Sequence, residues 1–329
     1  MKILVTGAGA LLGQGILRAL ARWSQPKFVI ACDPSPLAVG LYWADCAQLV
    51  PMAADSGYGA AMRAVIARHR PDAVLVGTDV ELHYFAQHRQ SLEAEFQTKV
   101  VVSPPGVVEI ADDKWLTYRF LRDNGFPHPD SALPEDVDSL VARVGFPLVV
   151  KPRRGARSVG VSTVGSSAEL GQALGRGGNL VVQECVGSAE AEYTSGLIGF
   201  DGRCLACITM RRDLRDGNTY RAFPEPEFPA DSELRRIAEK LNPYGPVNFQ
   251  FRMVDGIAKI FEINGRFSGT TPLRGLVGFP EVEIVLRHVL FGEPVVQPVI
   301  SRDVILRYWS ETVVPVTDVI SKASSHSMP

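Results

Sequence analysis

Over the first 110 residues, short apolar runs alternate with helical patterns, and this alternation narrows the fold more than any other feature of the chain. "KILVTG", "KFVIACD", "PDAVLVGTD" and "KVVVSP" read as strands, with "LLGQGILRALARW" and "GYGAAMRAVIARHR" as helices between them. A strand that returns through a helix re-enters the sheet in the same direction, so the expectation is a parallel, doubly wound α/β unit. "SPPGVVEIADD" reads as a linker after it. In "GTDVEL", Asp79 and Glu81 read either as cleft residues able to hold an amine or as a solvated loop.

The opening strand runs into "TGAGALLGQG", with Asp33 about twenty residues on, which is close to a nicotinamide-binding fingerprint. The match is incomplete. One fingerprint wants a third glycine at position 12, where Leu12 stands before Gly13; the other wants one at position 10, which is Ala10. The Tyr-x-x-x-Lys pair that accompanies the second is absent from the chain. A tight strand-to-helix turn needs glycine with or without a cofactor, so a nicotinamide-dependent oxidoreductase is the weaker reading of this segment.

A net charge of −2 and 46% hydrophobic residues describe an ordinary globular chain and give no electrostatic reason to expect nucleic acid or an acidic membrane. The five cysteines are too sparse for a disulfide framework. Cys204 and Cys207 have C-x-x-C spacing within a strand-like run, where residues three apart are expected on opposite faces. With Met1 leading straight into a strand, the expected compartment is the cytoplasm.

From about residue 145 the pattern becomes α+β, mostly antiparallel strands with interleaved helices. Asp201-Gly202 and Asp255-Gly256 are hairpin turns, and "DSELRRIAEKLN" is an amphipathic helix capped by Asp231 or Ser232. In "KIFEINGRF", Glu262 and Asn264 lie two apart on a strand and share a face, with Arg266 following. A carboxylate beside an amide oxygen suits Mg²⁺, and an arginine there can neutralise a transferring phosphoryl group. Phe249, Phe251 and Met253 form the apolar face of the preceding strand, Phe261 and Ile263 that of the return strand. A plain two-residue turn would set Phe249 against Glu262. Keeping apolar against apolar requires a bulge or an odd loop, which pairs Gln250 with Glu262 and puts Gln250, Glu262 and Asn264 on one face. The alternative is a solvated polar sheet face.

Upstream, Lys151 ends the buried strand "PLVVKP", and the loop "RRGARSVGV", with Gly155, Ser158 and Gly160, offers backbone N–H groups to phosphates. Lys114 opens a helix; the strand end Gln183, Glu184, Cys185, Val186 offers backbone groups to an adenine edge; Glu190 or Glu192 could take ribose hydroxyls. "MRRDLRDGNTYRA" reads as a basic loop carrying Arg211, Arg212 and Arg221. Arg274 could pair with a carboxylate, and Glu281 leads a late helix without an assigned role.

In this order the segments "DDKWLTYRFLRDNGFPHP", "FPLVVKPRRGARSVGV", "VVQECV", "AEYTSGLIG", "VNFQFR" and "FEINGRFSGTTPL" resemble the ATP-grasp superfamily over residues 110–290. The nearest likeness is to single-module proteins similar to the carbamoyl-phosphate synthase large chain, in which a glutamine such as Gln250 commonly holds the first metal position. The resemblance implies a Rossmann-like pre-ATP-grasp domain over 1–110, an ATP-grasp domain over 111–300 (111–182 with the lid, 183–300 catalytic) and a C-terminal segment 301–329. It implies that Lys114 and Lys151 contact ATP phosphates, that residues 153–160, including Gly155, Ser158 and Gly160, form a lid, and that residues 183–186 form the adenine hinge with Glu190 at the ribose. It further implies that Gln250, Glu262 and Asn264 hold one or two Mg²⁺ ions, with Mn²⁺ as a substitute, that Arg211, Arg212 and Arg221 lie near the γ-phosphate or substrate rather than in a solvated basic loop, and that Arg266, Lys151 and Arg212 act in catalysis.

The implied activity is that of an ATP-dependent carboxylate–amine ligase acting on small molecules through an acyl phosphate, and a homodimer is compatible with it. The positioned charges do the work, so no Ser/His/Asp signature is needed. A nucleotide-binding subunit without catalysis is the alternative. On the ligase reading the glycine turn belongs to the substrate-side domain, Rossmann-like without its cofactor.

Overall fold

The computed structural model describes residues 1–155 and 159–319. Its first sheet is parallel, with β1 (Lys2–Val5), β2 (Phe28–Asp33), β3 (Cys46–Leu49), β4 (Ala73–Leu75) and β5 (Lys99–Val101) in the order β3-β2-β1-β4-β5. Strand alternation splits its apolar residues between two layers. Ile3, Val5 and Leu75 pack with α1 (Leu11–Arg22), while Leu4, Val74 and Val100 pack with α2 (Tyr58–His69) and α3 (Asp79–Phe96).

Three elements depart from the sequence expectation. β3 is an additional strand. α3 is an 18-residue helix beginning at Asp79, where the second of the two readings of Asp79 and Glu81 expected a solvated loop. Its apolar face is interrupted by Glu81, which is 5% exposed and accepts hydrogen bonds from Thr6 and Tyr58 hydroxyls at 2.6 Å each. Burial lifts the Glu81 pKa, and those two bonds pull it back. The presumed linker is α4 (Pro105–Asp112), with proline in its first turn and Val107 and Val108 buried.

The glycine-rich turn is explained by packing. A Cβ on Gly13 would lie 2.1 Å from Gly7 O, and one on Gly77 would lie 2.0 Å from Thr6 O, so the two strand-to-helix turns touch through bare backbone. Asp33, 7% exposed, accepts from Gly9 N and Ser35 N, which ties both its oxygens to the fold.

After α5 (Lys114–Asp123), a second sheet of β6 (Ser131–Ala132), β7 (Leu148–Pro152), β8 (Ser162–Val164) and β9 (Leu180–Glu184) packs under α6 (Val137–Val144) and α7 (Ser167–Gly175). The third sheet is antiparallel: β10 (Glu192–Phe200), β11 (Arg203–Arg215), β12 (Asn218–Pro224), β13 (Gly245–Val254), β14 (Ile257–Asn264) and β15 (Ile305–Leu306), ordered β14-β13-β10-β11-β12-β15. The basic segment expected as a loop is thus the β11–β12 hairpin. One face of this sheet packs on α8 (Asp231–Leu241); the other, through Ile198, Ile208 and Met210, joins the core containing α1 and α10 (Glu281–Phe291). α8 begins at Asp231, with Ala230 rather than Asp231 or Ser232 at the N-cap, because the Asp231 carboxylate accepts from Thr209 instead. A bulge leaves Leu205 unpaired between Cys204 and Cys207, so both cysteines enter one apolar cluster instead of opposite faces. Burial raises both thiol pKa values, Cys204 to about 11.

Arg274, from the short helix α9 (Thr271–Arg274), is 1% exposed and ion-paired with Glu281 at 2.9 Å. It also donates to Asn248 and Thr194 on the third sheet. Gly196 makes room for it, since a Cβ there would lie 2.2 Å from Arg274 Nη1. Arg274 therefore pairs with an internal carboxylate, and Glu281, expected to have no role, is its counter-charge. Glu281→Gln leaves a buried guanidinium uncompensated, and we expect a loss of about 3–5 kcal/mol in unfolding free energy. Chemical denaturation checks this; wild-type stability in the variant would contradict it.

Candidate functional site

The third sheet carries polar rows across three strands. Glu262, Gln250 and Thr194 pair side by side across β14, β13 and β10, and Asn264, Asn248 and Gly196 form the next row. The register is the one apolar matching demanded, with Phe249 opposite Ile263, Gln250 opposite Glu262, and a bulge beside them. The bulge residue is Phe261. Sequence alternation put it in the core; instead Ala258, Ile260 and Ile263 fill the core, and Phe261 turns to the other side, its ring centre 5.5 Å from Lys151 Nζ.

This polar face separates two cavities. One, of about 270 Å³, lies between the second and third sheets and is lined by Lys151, Glu192 and the end of β9. The other, of about 810 Å³, lies between the third sheet and the starts of α1 and α3. Gln250, Glu262, Arg212 and Lys114 line both.

In the smaller cavity Lys151, 5% exposed, donates to Gln183 Oε1 at 2.7 Å, and Gln183 donates to Ser131 Oγ at 2.9 Å. Burial lowers the Lys151 pKa from 10.5 to about 8, against the raising effect of Glu262. The Glu184 and Cys185 N–H groups donate to Asp130 O and Pro147 O, and Glu184 pairs with Lys259 at 3.1 Å. Val186 O accepts from Arg252, while Val186 N–H has no acceptor among the described residues. Glu190 is exposed and off the cavity wall; Glu192 is on it, 6% exposed, bridging Arg212 at 2.7 Å and Arg252 at 3.0 Å.

The stem of the expected lid is tied to α5. Asp113 caps α5, accepting from Trp115 N and Leu116 N, and also accepts from Arg153. Burial opposes its charge, but these donors outweigh it and hold the carboxyl below its usual range. Lys114 Nζ donates to Gly155 O at 2.8 Å, and Arg154 meets Asp112 at 3.2 Å, which also faces His83. Gly160 packs near Pro152, and Ser158 lies outside the described residues.

The donor set on the polar face fits Mg²⁺ by its chemistry, because a carboxylate and two amide oxygens are hard ligands. Gln250 Nε2 and Asn264 Nδ2 both donate to Glu262 Oε1, at 3.3 and 3.0 Å, so the three side chains converge on one point. Their amide oxygens accept from Arg212 and Arg266. Among the described residues no group of three His, Cys, Asp or Glu is placed to hold a metal, so an ion here would rely on amides and on its ligand's own oxygens.

Of Arg211, Arg212 and Arg221 on this hairpin, Arg212 alone lines the two cavities. Arg211 stacks on Phe223 and pairs with Asp213, and Arg221 lies outside near the same Asp213. Arg266 meets Asp79 at 2.6 Å across the larger cavity; Glu81 points into the core. Sequence reasoning passed over Asn248 and Arg252, although both lie two residues from Gln250 and share its face. It also passed over Arg307, which follows β15 and has no local pattern to mark it.

A family model described as "ATP-grasp in the biosynthetic pathway with Ter operon" matches residues 180–312. The carbamoyl phosphate synthase large chain of Thermomicrobium roseum is 22% identical over 321 residues, covering 88% of this chain and 29% of that protein. The chain thus spans under a third of that relative. The formate-dependent phosphoribosylglycinamide formyltransferase of Chlorobium phaeobacteroides is 26% identical over 320 residues, covering 89% and 77%. Among solved structures, N5-carboxyaminoimidazole synthetase from Staphylococcus aureus complexed with ADP superposes with a TM-score of 0.74 at 14% identity, covering 91% and 79%. L-amino acid ligase from Bacillus licheniformis gives 0.68 at 16%, covering 90% and 75%. Among the described residues no helix is long and apolar enough to cross a membrane. The chain carries an ATP-grasp domain behind a Rossmann-like α/β unit and has carbamoyl phosphate synthase large chains among its homologues.

Proposed function

We propose that this protein is an ATP-dependent ligase that activates a substrate carboxylate as an acyl phosphate and joins it to an amine. The observation that carries the reading is the shared wall: Gln250, Glu262 and Arg212 border both the small and the large cavity. ATP occupies the smaller one, adenine against the free Val186 N–H and phosphates toward Lys151 and Lys114. The carboxylate and amine occupy the larger one. Residues 1–110 supply the substrate side, residues 111–300 the ATP-grasp module, and residues 301–329 the C-terminal segment.

A carboxylate oxygen bonds to the γ-phosphorus while the bond to ADP breaks. The amine nitrogen then bonds to the acyl carbon, phosphate leaves, and the nitrogen loses a proton to solvent. Arg212 and Arg266, held by Glu192 and Asp79, present fixed positive charge where negative charge gathers. Gln250, Glu262 and Asn264 would hold Mg²⁺, one or two ions with Mn²⁺ as a substitute, which neutralises phosphate charge when bound. ADP release in the presence of a panel of small carboxylates and amines tests the activity; no member of the panel stimulating release would contradict it.

Glu262→Gln keeps the shape of the face and removes its one carboxylate. Substrate-dependent turnover should fall about a hundredfold, the scale of losing one preorganised electrostatic contact. ATP affinity should fall much less, because Lys151 and Lys114 remain. Equal turnover in wild type and variant would reduce the face to scaffold.

Lys151 gives a pH dependence. Below pH 8 it is charged in folded and unfolded chains alike; between its folded pKa of about 8 and its ordinary 10.5 it is neutral only when folded. Its contribution to stability therefore rises with pH across that window. ATP affinity should move the opposite way and weaken between pH 7 and 9.5 as the cation is lost. Lys151→Arg, charged throughout, should flatten the curve. A wild-type affinity that is constant over this range would refute the assignment.

A further inference from the structure

We propose that the part of the larger cavity around Arg307, which lines that cavity and not the smaller one, is a second anion subsite, so that the substrate carries a carboxylate or phosphate besides the carboxylate that reacts. The assignment rests on the ligase reading of the two cavities.

Arg307 follows β15, and its backbone N–H donates to Tyr220 O at 3.0 Å, which fixes the side chain at the cavity wall. One guanidinium nitrogen donates to Gly269 O. Its other nitrogens meet no acceptor, and no carboxylate pairs with it, among the described residues. The other arginines on that wall each have a carboxylate partner: Arg266 has Asp79, Arg212 has Glu192 and Arg154 has Asp112. Burial and the nearby Arg18 charge lower its pKa, yet an arginine stays protonated in a protein. A half-buried guanidinium without a counter-charge is costly, and an anion from the substrate would supply the missing partner in bidentate geometry.

The surroundings favour the same ligand. Gly269, whose carbonyl Arg307 holds, packs against the start of α1: a Cβ on it would lie 3.0 Å from Leu11 Cδ2. α1 has no acid in its first turn and no side-chain cap; Gly13 N–H donates to Gly77 O and Asp33 holds Gly9 N–H just before the helix, so the Leu11 and Leu12 N–H groups are those left to an anion here. A volume of about 810 Å³ leaves room for a substrate with two polar ends beside the amine.

The test saturates the nucleotide cavity with β,γ-methylene-ATP and titrates inorganic phosphate and, separately, succinate by calorimetry. At least one anion should bind saturably to the wild type. Binding should weaken about tenfold or more in Arg307→Gln and be partly retained in Arg307→Lys. Affinity for the nucleotide analogue should be the same in all three proteins, and unchanged melting temperatures would show that the variants are folded. A response to phosphate alone identifies a phosphorylated substrate, and a response to succinate a second carboxylate. Absence of binding by both anions, or equal binding by Arg307→Gln, would overturn the subsite. Failure of the nucleotide analogue itself to bind would refute the ligase reading instead, and the anion titrations would still decide the role of Arg307.

Discussion

One extra residue in β14 sets the chemistry of this molecule. The Asp255-Gly256 turn fixes a two-residue hairpin, and without a bulge the strands beyond it would put Glu262 against Phe249, a carboxylate against a core aromatic. The cost of that pairing selects the bulged register. Phe261 absorbs the mismatch and turns into the smaller cavity beside Lys151, while Glu262 meets Gln250 on the opposite face from the core. The aromatic wall and the polar face thus follow from the same irregularity, and bulges placed beside sites of function commonly re-aim side chains in this way.

Around that face the fold fixes charge by pairing it. Glu192 bridges two arginines, Asp79 reaches from the start of α3 to Arg266, and Asp113 joins the cap of α5 to Arg153. These contacts fix side chains of the third sheet and tie α3 and α5 to the residues that follow β14 and β7, and Arg274 with Glu281 anchors the turn beneath. Lys114, Lys151 and Arg307 differ: each faces a cavity without a paired carboxylate among the described residues. Two stand where phosphates are proposed, and the third lines the larger cavity and not the smaller one.

Much of this was legible in the sequence because it is periodic. The parallel strands, the Asp201-Gly202 and Asp255-Gly256 turns and the shared face of Gln250, Glu262 and Asn264 each follow from a repeat of two or from turn chemistry. What stayed hidden breaks periodicity or acts at long range. α3 was obscured because its buried face carries Glu81, satisfied only by Thr6 and Tyr58 from other elements. Cys204 and Cys207 share a cluster because of a bulge that their spacing does not announce. Glu281 looked idle because its partner Arg274 belongs to a different turn, and Arg307 meets the cavity only through β15 closing the edge of the third sheet.

The central claim is that a carboxylate is phosphorylated at the wall between the two cavities, and isotope transfer tests it most directly. The carboxylate found to drive ADP release is supplied with ¹⁸O in its carboxyl group, and the phosphate released during amide formation is analysed by mass spectrometry. Attack of a carboxylate oxygen on the γ-phosphorus predicts one ¹⁸O atom in each phosphate formed. Unlabelled phosphate alongside labelled amide would mean that no acyl phosphate forms and would contradict the account.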